Sequence, residues 1–209
     1  MGSHHASQLL KAVRAGWLKE TRIVVVDSDS SCLAARKLAG ATRVGFEFSD
    51  WLAFLRRWLS SAAPADHLVP APVAPHILWE WLAGELGASR LEPPRDWGLP
   101  YEQPGARGEV FLSAAGWACP ATCVEPEHCP VLHGPRDWDL SDLIAERATA
   151  LGYEPCVFRC EHLAAGVGAI AVRDILEAKS RAARAQRVLV ATTSHCHAAV
   201  GALQLQLTT

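Results

Sequence analysis

The sequence predicts an α/β fold, a mostly parallel sheet with helices on both faces. Three observations carry that expectation. Segments with helical spacing alternate with short strand-like segments along the whole chain. The strand-like segments "RIVVVD" (22–27) and "RVLVATT" (187–193) are apolar almost throughout, as strands covered on both faces must be. Capping residues and glycine or proline stops bracket several of the helical segments.

In order along the chain, "HASQLLKAVRAGWLKE" (5–20) carries Leu9, Leu10, Val13, Trp17 and Leu18 at helical spacing, and "RIVVVD" follows as a strand. "SSCLAARKLAG" (30–40) returns to helix, with Asp29 or Ser30 as N-cap and Gly40 at the stop. "TRVGFEF" (42–48) is a weaker strand, and "SDWLAFLRRWLSSA" (49–62) an amphipathic helix. "DHLVPA" (66–71) is a short strand, and "PHILWEWLAGELG" (75–87) a helix with Pro75 in its first turn. Residues 91–107 are dense in proline and glycine and read as a long surface loop. Strand "GEVFLSA" (108–114), a cysteine loop (116–137) and helix "DLSDLIAERATALG" (139–152) follow. The last third repeats the alternation: strand "CVFRC" (156–160), a loop with "AAGVG" (164–168), helix 169–186, strand 187–193 and a terminal helix from 194. Residues 1–90 and 108–209 then form two halves of one continuous sheet, joined by 91–107.

At 209 residues the chain is long enough for a substantial core, and half of it is apolar at a net charge of −2. No apolar run approaches the roughly 20 residues that span a bilayer, so no membrane association is expected. The densest basic run, "KSRAARAQR" (179–187), reads as a solvated helix face, and general nucleic-acid binding is not expected. Seven cysteines with no signal peptide argue against a secreted disulfide framework and for the cytoplasm.

In open α/β sheets ligands sit outside the carboxyl ends of the strands. Cys119, Cys123 and Cys129 follow strand 108–114, Cys160 and His162 follow strand 156–160, and Cys196, between His195 and His197, follows strand 187–193. If these strands are parallel, the three loops share one edge. Clustered thiolates need neutralising, which zinc or an iron–sulfur cluster does with four ligands. Cys119, Cys123, Cys129 and a remote Cys196 meet that number, with Cys160 in reserve. Glu125 and His195 are candidates for acid–base assistance. Redox thiols or structural cysteines remain open alternatives. Cys32 and Cys156 read as small core residues, and His67, His76 and the tryptophans as structural.

"RIVVVDSDSSCLAARKLAG" (22–40) resembles the second strand and following helix of TrkA-N-type NAD-binding domains, over about the first 70 residues. The resemblance implies a Rossmann-like sheet and a bound NAD or other nucleotide. Asp27 and, less surely, Asp29 would hold the ribose hydroxyls. No first strand and no complete G-x-G-x-x-G precede this stretch. "MGSHH" reads either as a cloning scar or as the end of a phosphate loop, with Gly2 and Ser3 facing the cofactor. "AAGVGAI" (164–170) is a further glycine turn ahead of a helix, and Gly166 and Gly168 are candidates for receiving an anion.

Three function classes follow: a cysteine-ligated metal or cluster protein acting on a small molecule, a nucleotide-sensing regulatory module, and a thiol enzyme using Cys196. The expected partner is a small-molecule ligand, and self-association into a homo-oligomer stays open.

Overall fold

A computed structural model describes residues 2–19, 21–70, 76–115 and 123–206. The chain opens on helix α1 (Gly2–Arg14), strand β1 (Ile23–Asp27), helix α2 (Leu33–Leu38), strand β2 (Val44–Phe48) and helix α3 (Trp51–Leu59). β1 and β2 pair in parallel, Ile23 opposite Val44, and form a two-stranded sheet of their own. Ala6, Leu9 and Leu10 of α1 bury against Ile23, Leu38 and the distant Val167. Asp50 caps α3 by accepting the Ala53 N–H at 3.0 Å, and the Trp51 indole N–H donates to the Val26 carbonyl at 3.1 Å.

Next come β3 (His67–Leu68), helix α4 (Ile77–Glu85), β4 (Ser89–Leu91), β5 (Tyr101–Pro104), β6 (Val110–Ser113), and the small hairpin of β7 (His128–Cys129) and β8 (Gly134–Pro135). Helix α5 (Leu140–Ala150) leads to β9 (Glu154–Arg159), then β10 (Glu161–Ala164), β11 (Val167–Ala171), helix α6 (Val172–Ala182), β12 (Arg187–Thr193) and β13 (His197–Gln204). The principal sheet has the order β5-β6-β13-β12-β9, with β4 also paired to β13. β12 is parallel to β9, whereas β12–β13, β13–β6 and β5–β6 are antiparallel. A third sheet runs β10-β11-β3.

The sheet is therefore mixed, and the expectation of one mostly parallel, Rossmann-like sheet is overturned. The decisive element is β13, which the sequence reading makes a terminal helix. The Ser194 N–H donates to the His197 carbonyl at 2.8 Å and closes a tight reversal after β12. A strand entered through so short a turn must lie antiparallel to its predecessor. β13 then separates β12 from β6, and β1–β2 stay outside the principal sheet. Residues 91–107 also contain β5, and "AAGVG" forms the β10–β11 hairpin turn rather than a loop opening a helix.

Helices do cover both faces of the principal sheet. On one face Trp79, Trp81 and Leu82 of α4 and Ile175 of α6 pack against Val188 and Val190. On the other, Leu140 and Ile144 of α5 pack against Leu189 and Ala191. Successive β12 residues thus enter opposite cores, which is why its sequence reads as a continuous apolar run. Among the described residues no helix is long and apolar enough to cross a membrane.

Candidate functional site

Although the sheet is mixed, the cysteine-bearing loops do meet. β9 and β12 are parallel, and β6 and β12 are both antiparallel to β13, so β6, β9 and β12 all run the same way. Their carboxyl ends share one edge. Ala114, just past β6, donates its N–H to the Cys196 carbonyl at 3.0 Å, and Cys160, just past β9, donates to the Thr193 carbonyl at 2.8 Å.

The segment following Cys123 is tied to this edge by Glu125, one of four non-glycine residues with positive φ among those described. Its Oε1 accepts the His195 N–H at 2.9 Å, and its Oε2 lies 3.8 Å from His162 Nδ1. His162 Nε2 is 3.2 Å from the Cys123 carbonyl, which makes the ring nitrogen the donor. The Arg136 N–H donates to the Glu127 carbonyl at 2.7 Å and closes the β7–β8 hairpin.

Asp139 organises the α5 side of the edge. It caps α5 by accepting the Ser141 N–H at 2.9 Å. Its other oxygen pairs with the Arg159 guanidinium at 2.7 Å and lies 3.6 Å from His195 Nδ1. The His195 carbonyl accepts the Leu140 N–H at 3.2 Å, so His195 is pinned through both its backbone groups and faced by a carboxylate. Among the described residues its buried Nε2 has no hydrogen-bond partner, and a buried polar atom is commonly met by a ligand or water. Below it, the buried hydroxyls of Ser141 and Thr193 meet at 2.8 Å.

The thiols fall into distinct environments. Cys123 Sγ accepts the Glu125 N–H at 3.3 Å. Cys129 is buried, and its thiol is held below its usual range, chiefly by the Leu132 N–H, with the Val131 N–H and Arg136 assisting against burial. Backbone N–H groups aimed at sulfur favour the thiolate. Cys160 is the opposite case: burial, reinforced by the negative Glu125, pushes its thiol up to about 12. Cys196 is buried in the β12–β13 turn, with its N–H 3.3 Å from Ser194 Oγ.

Of the residues singled out from the sequence, Cys160 and Cys196 share the edge and Cys123 adjoins it through His162. Cys129 sits in the β7–β8 hairpin beside Arg136, and Cys119 lies outside the described residues. Among the described residues, no three His, Cys, Asp or Glu side chains stand together as a metal-ligand set. Gly2 and Ser3 belong to the first turn of α1. Asp27 ends β1, where Oδ1 accepts the Asp29 N–H at 3.0 Å. One Asp29 oxygen takes both the hydroxyl and the N–H of Ser31, which lowers its pKa, the hydroxyl contributing most.

Gly166 (φ +67°) supplies the β10–β11 turn, and Gly168 lies in β11 with space for a Cβ only 2.8 Å from that of Cys160. α6 starts only at Val172, so these glycines form a hairpin turn and do not open a helix. Cys32, read as a core residue, is instead a half-buried N-cap of α2 through an Ala35 N–H···S contact of 3.4 Å, whereas Cys156 is a fully buried core thiol, as read. Sequence reasoning missed Asp139, Arg159, Ser141 and Thr193. The helix read over 139–152 does begin at Asp139, but nothing local shows which edge that start faces.

Residues 74–206 match a family model, AF_1314_C, described as "Uncharacterized protein, C-terminal domain". That span holds the whole principal sheet, α4 to α6 and every edge residue above, and begins after the stretch that carries the TrkA-N resemblance. The chain belongs to this family. No curated protein and no solved structure matches it.

Proposed function

We propose that this protein binds a thiolate-ligated metal ion or iron–sulfur cluster at the shared edge of β6, β9 and β12, and that it acts in the cytoplasm on a small molecule. The observation that carries this reading is His195. Its Nδ1 faces Asp139 while its buried Nε2 has no partner among the described residues, and a ligating imidazole commonly directs its second nitrogen to a carboxylate in this way. Cys129 adds a thiol held toward the thiolate chiefly by the Leu132 N–H, and Cys123 adds a sulfur that accepts the Glu125 N–H at 3.3 Å. Cys160 and Cys196 stand at the same edge, and the half-buried Cys160 would ionise once a cation neutralises it.

Elemental analysis and sulfide determination on anaerobically purified protein test this directly. Bound zinc, or iron with sulfide, is expected. Asp139→Asn, which removes the charge facing His195, should weaken the metal by about tenfold. Protein that is isolated metal-free and takes up neither zinc nor iron with sulfide would overturn the reading.

A nucleotide reading of the amino-terminal unit draws on one observation, the position of Asp27 at the carboxyl end of a strand in a parallel pair. Calorimetric titration with NAD, NADH, ATP and S-adenosylmethionine tests it, and absence of binding at millimolar ligand rejects it.

A further inference from the structure

We propose that the amino-terminal unit binds a small organic anion with an apolar body, in a cavity at the edge of β1 and β2 opposite Asp27. The cavity measures about 430 Å³, within the range of small-molecule sites. Leu10, Val13 and Leu18 form its apolar wall, and Arg14, Lys19 and Arg43 bring three cationic side chains to it. Among the described residues none of these three cations is in an ion pair, whereas Arg57, Arg159, Lys179 and Arg181 each are.

Placement follows from the topology. Lys19 precedes β1 and Arg43 immediately precedes β2, and the two strands are parallel, so both cations stand at the amino edge. The arginine at 43 is itself unusual. Its φ of +71° lies in the left-handed region, where a non-glycine residue costs about 1 kcal/mol or more. The Ile23 N–H donates to the Arg43 carbonyl at 2.8 Å, which fixes this conformation at the start of the strand pair. Glycine would suit the backbone better, so an arginine here carries a conformational cost. Three cations with no ion pair among the described residues, set around an apolar wall, select a carboxylate on a hydrocarbon body, since an inorganic anion would leave the wall unused.

Calorimetry with octanoate as probe tests the proposal, and Arg43→Gly is the informative variant because it relieves the φ strain and should fold at least as well. Saturable octanoate binding is expected, weakened by about tenfold in Arg43→Gly and by added salt. Octanol and inorganic phosphate are each expected to bind at least about tenfold more weakly than octanoate. No saturable octanoate binding, binding unchanged in Arg43→Gly, or phosphate binding as tightly as octanoate would each overturn it.

Discussion

Replacing Gly201 by alanine is expected to cost about 3 kcal/mol of stability, the sum of overpacking and a weakened hydrogen bond. Gly201 lies in β13 opposite Val190 of β12, and the Trp79 indole of α4 lies directly on its backbone. A Cβ at this position would stand 2.5 Å from two ring atoms of Trp79 and 2.8 Å from a third. The indole cannot yield cheaply. Trp79 is only 1% exposed, its N–H donates to the Ala202 carbonyl at 3.2 Å, and the Arg90 guanidinium covers the ring at 4.8 Å. Urea denaturation measures the loss. Combining Gly201→Ala with Trp79→Leu should cost less than the sum of the two single changes, because the clash goes with the ring. A single-variant loss below about 0.5 kcal/mol would show that α4 can shift on the sheet.

Acidification from about pH 7 to about pH 5 is expected to remove about 2 kcal/mol of stability through His76 alone. His76 precedes α4 and is buried, with Nε2 3.1 Å from the Val190 carbonyl and Nδ1 3.3 Å from Thr192 Oγ1. A carbonyl only accepts, so Nε2 carries the proton and Nδ1 accepts from the threonine hydroxyl. Burial lowers the His76 pKa from 6.5 to about 4, against a smaller opposing effect of the Val190 carbonyl. The folded pKa is thus below the unfolded one. Above about pH 6.5 neither state is protonated and stability is at its full value. As pH falls from there toward 4, the unfolded chain takes up the proton first and stability drops. His76→Gln can keep both hydrogen bonds without titrating, so its pH dependence should be shallower by about that 2 kcal/mol. Equal slopes for the two proteins would contradict this assignment.

Much of the fold was legible because its signals are local. The apolar runs of β1 and β12, the helical segments that became α3 and α5, and the spacing of the tryptophans in α4 each arise within a few residues. β13 was not legible for the opposite reason. Its alanines are strong helix formers in isolation, and Gly201 is small where the Trp79 indole lies against the strand. The turn at Ser194–Cys196 settles the matter through hydrogen bonds that no periodicity reports.

The candidate site shows a related division. Attention to the loops after strands 108–114, 156–160 and 187–193 led to one edge, although the premise of a parallel sheet failed. Two antiparallel pairings through β13 restore the common direction of β6 and β12. What could not be read were partners supplied across the fold: Asp139 beside His195 and Arg159, Glu125 on the His195 N–H, and the Ser141–Thr193 contact. Those pairs are 20 to 70 residues apart in sequence, and nothing local marks them.

Cobalt(II) titration of the metal-stripped protein tests the central claim most directly. Thiolate ligation predicts an intense near-ultraviolet sulfur-to-cobalt charge-transfer band and the strong visible bands of a tetrahedral ion, both saturating at a fixed stoichiometry and both displaced by zinc. Cys123→Ser should diminish the charge-transfer band. A spectrum showing only weak absorption of hydrated cobalt, unchanged by Cys123→Ser, would contradict a thiolate metal site at this edge.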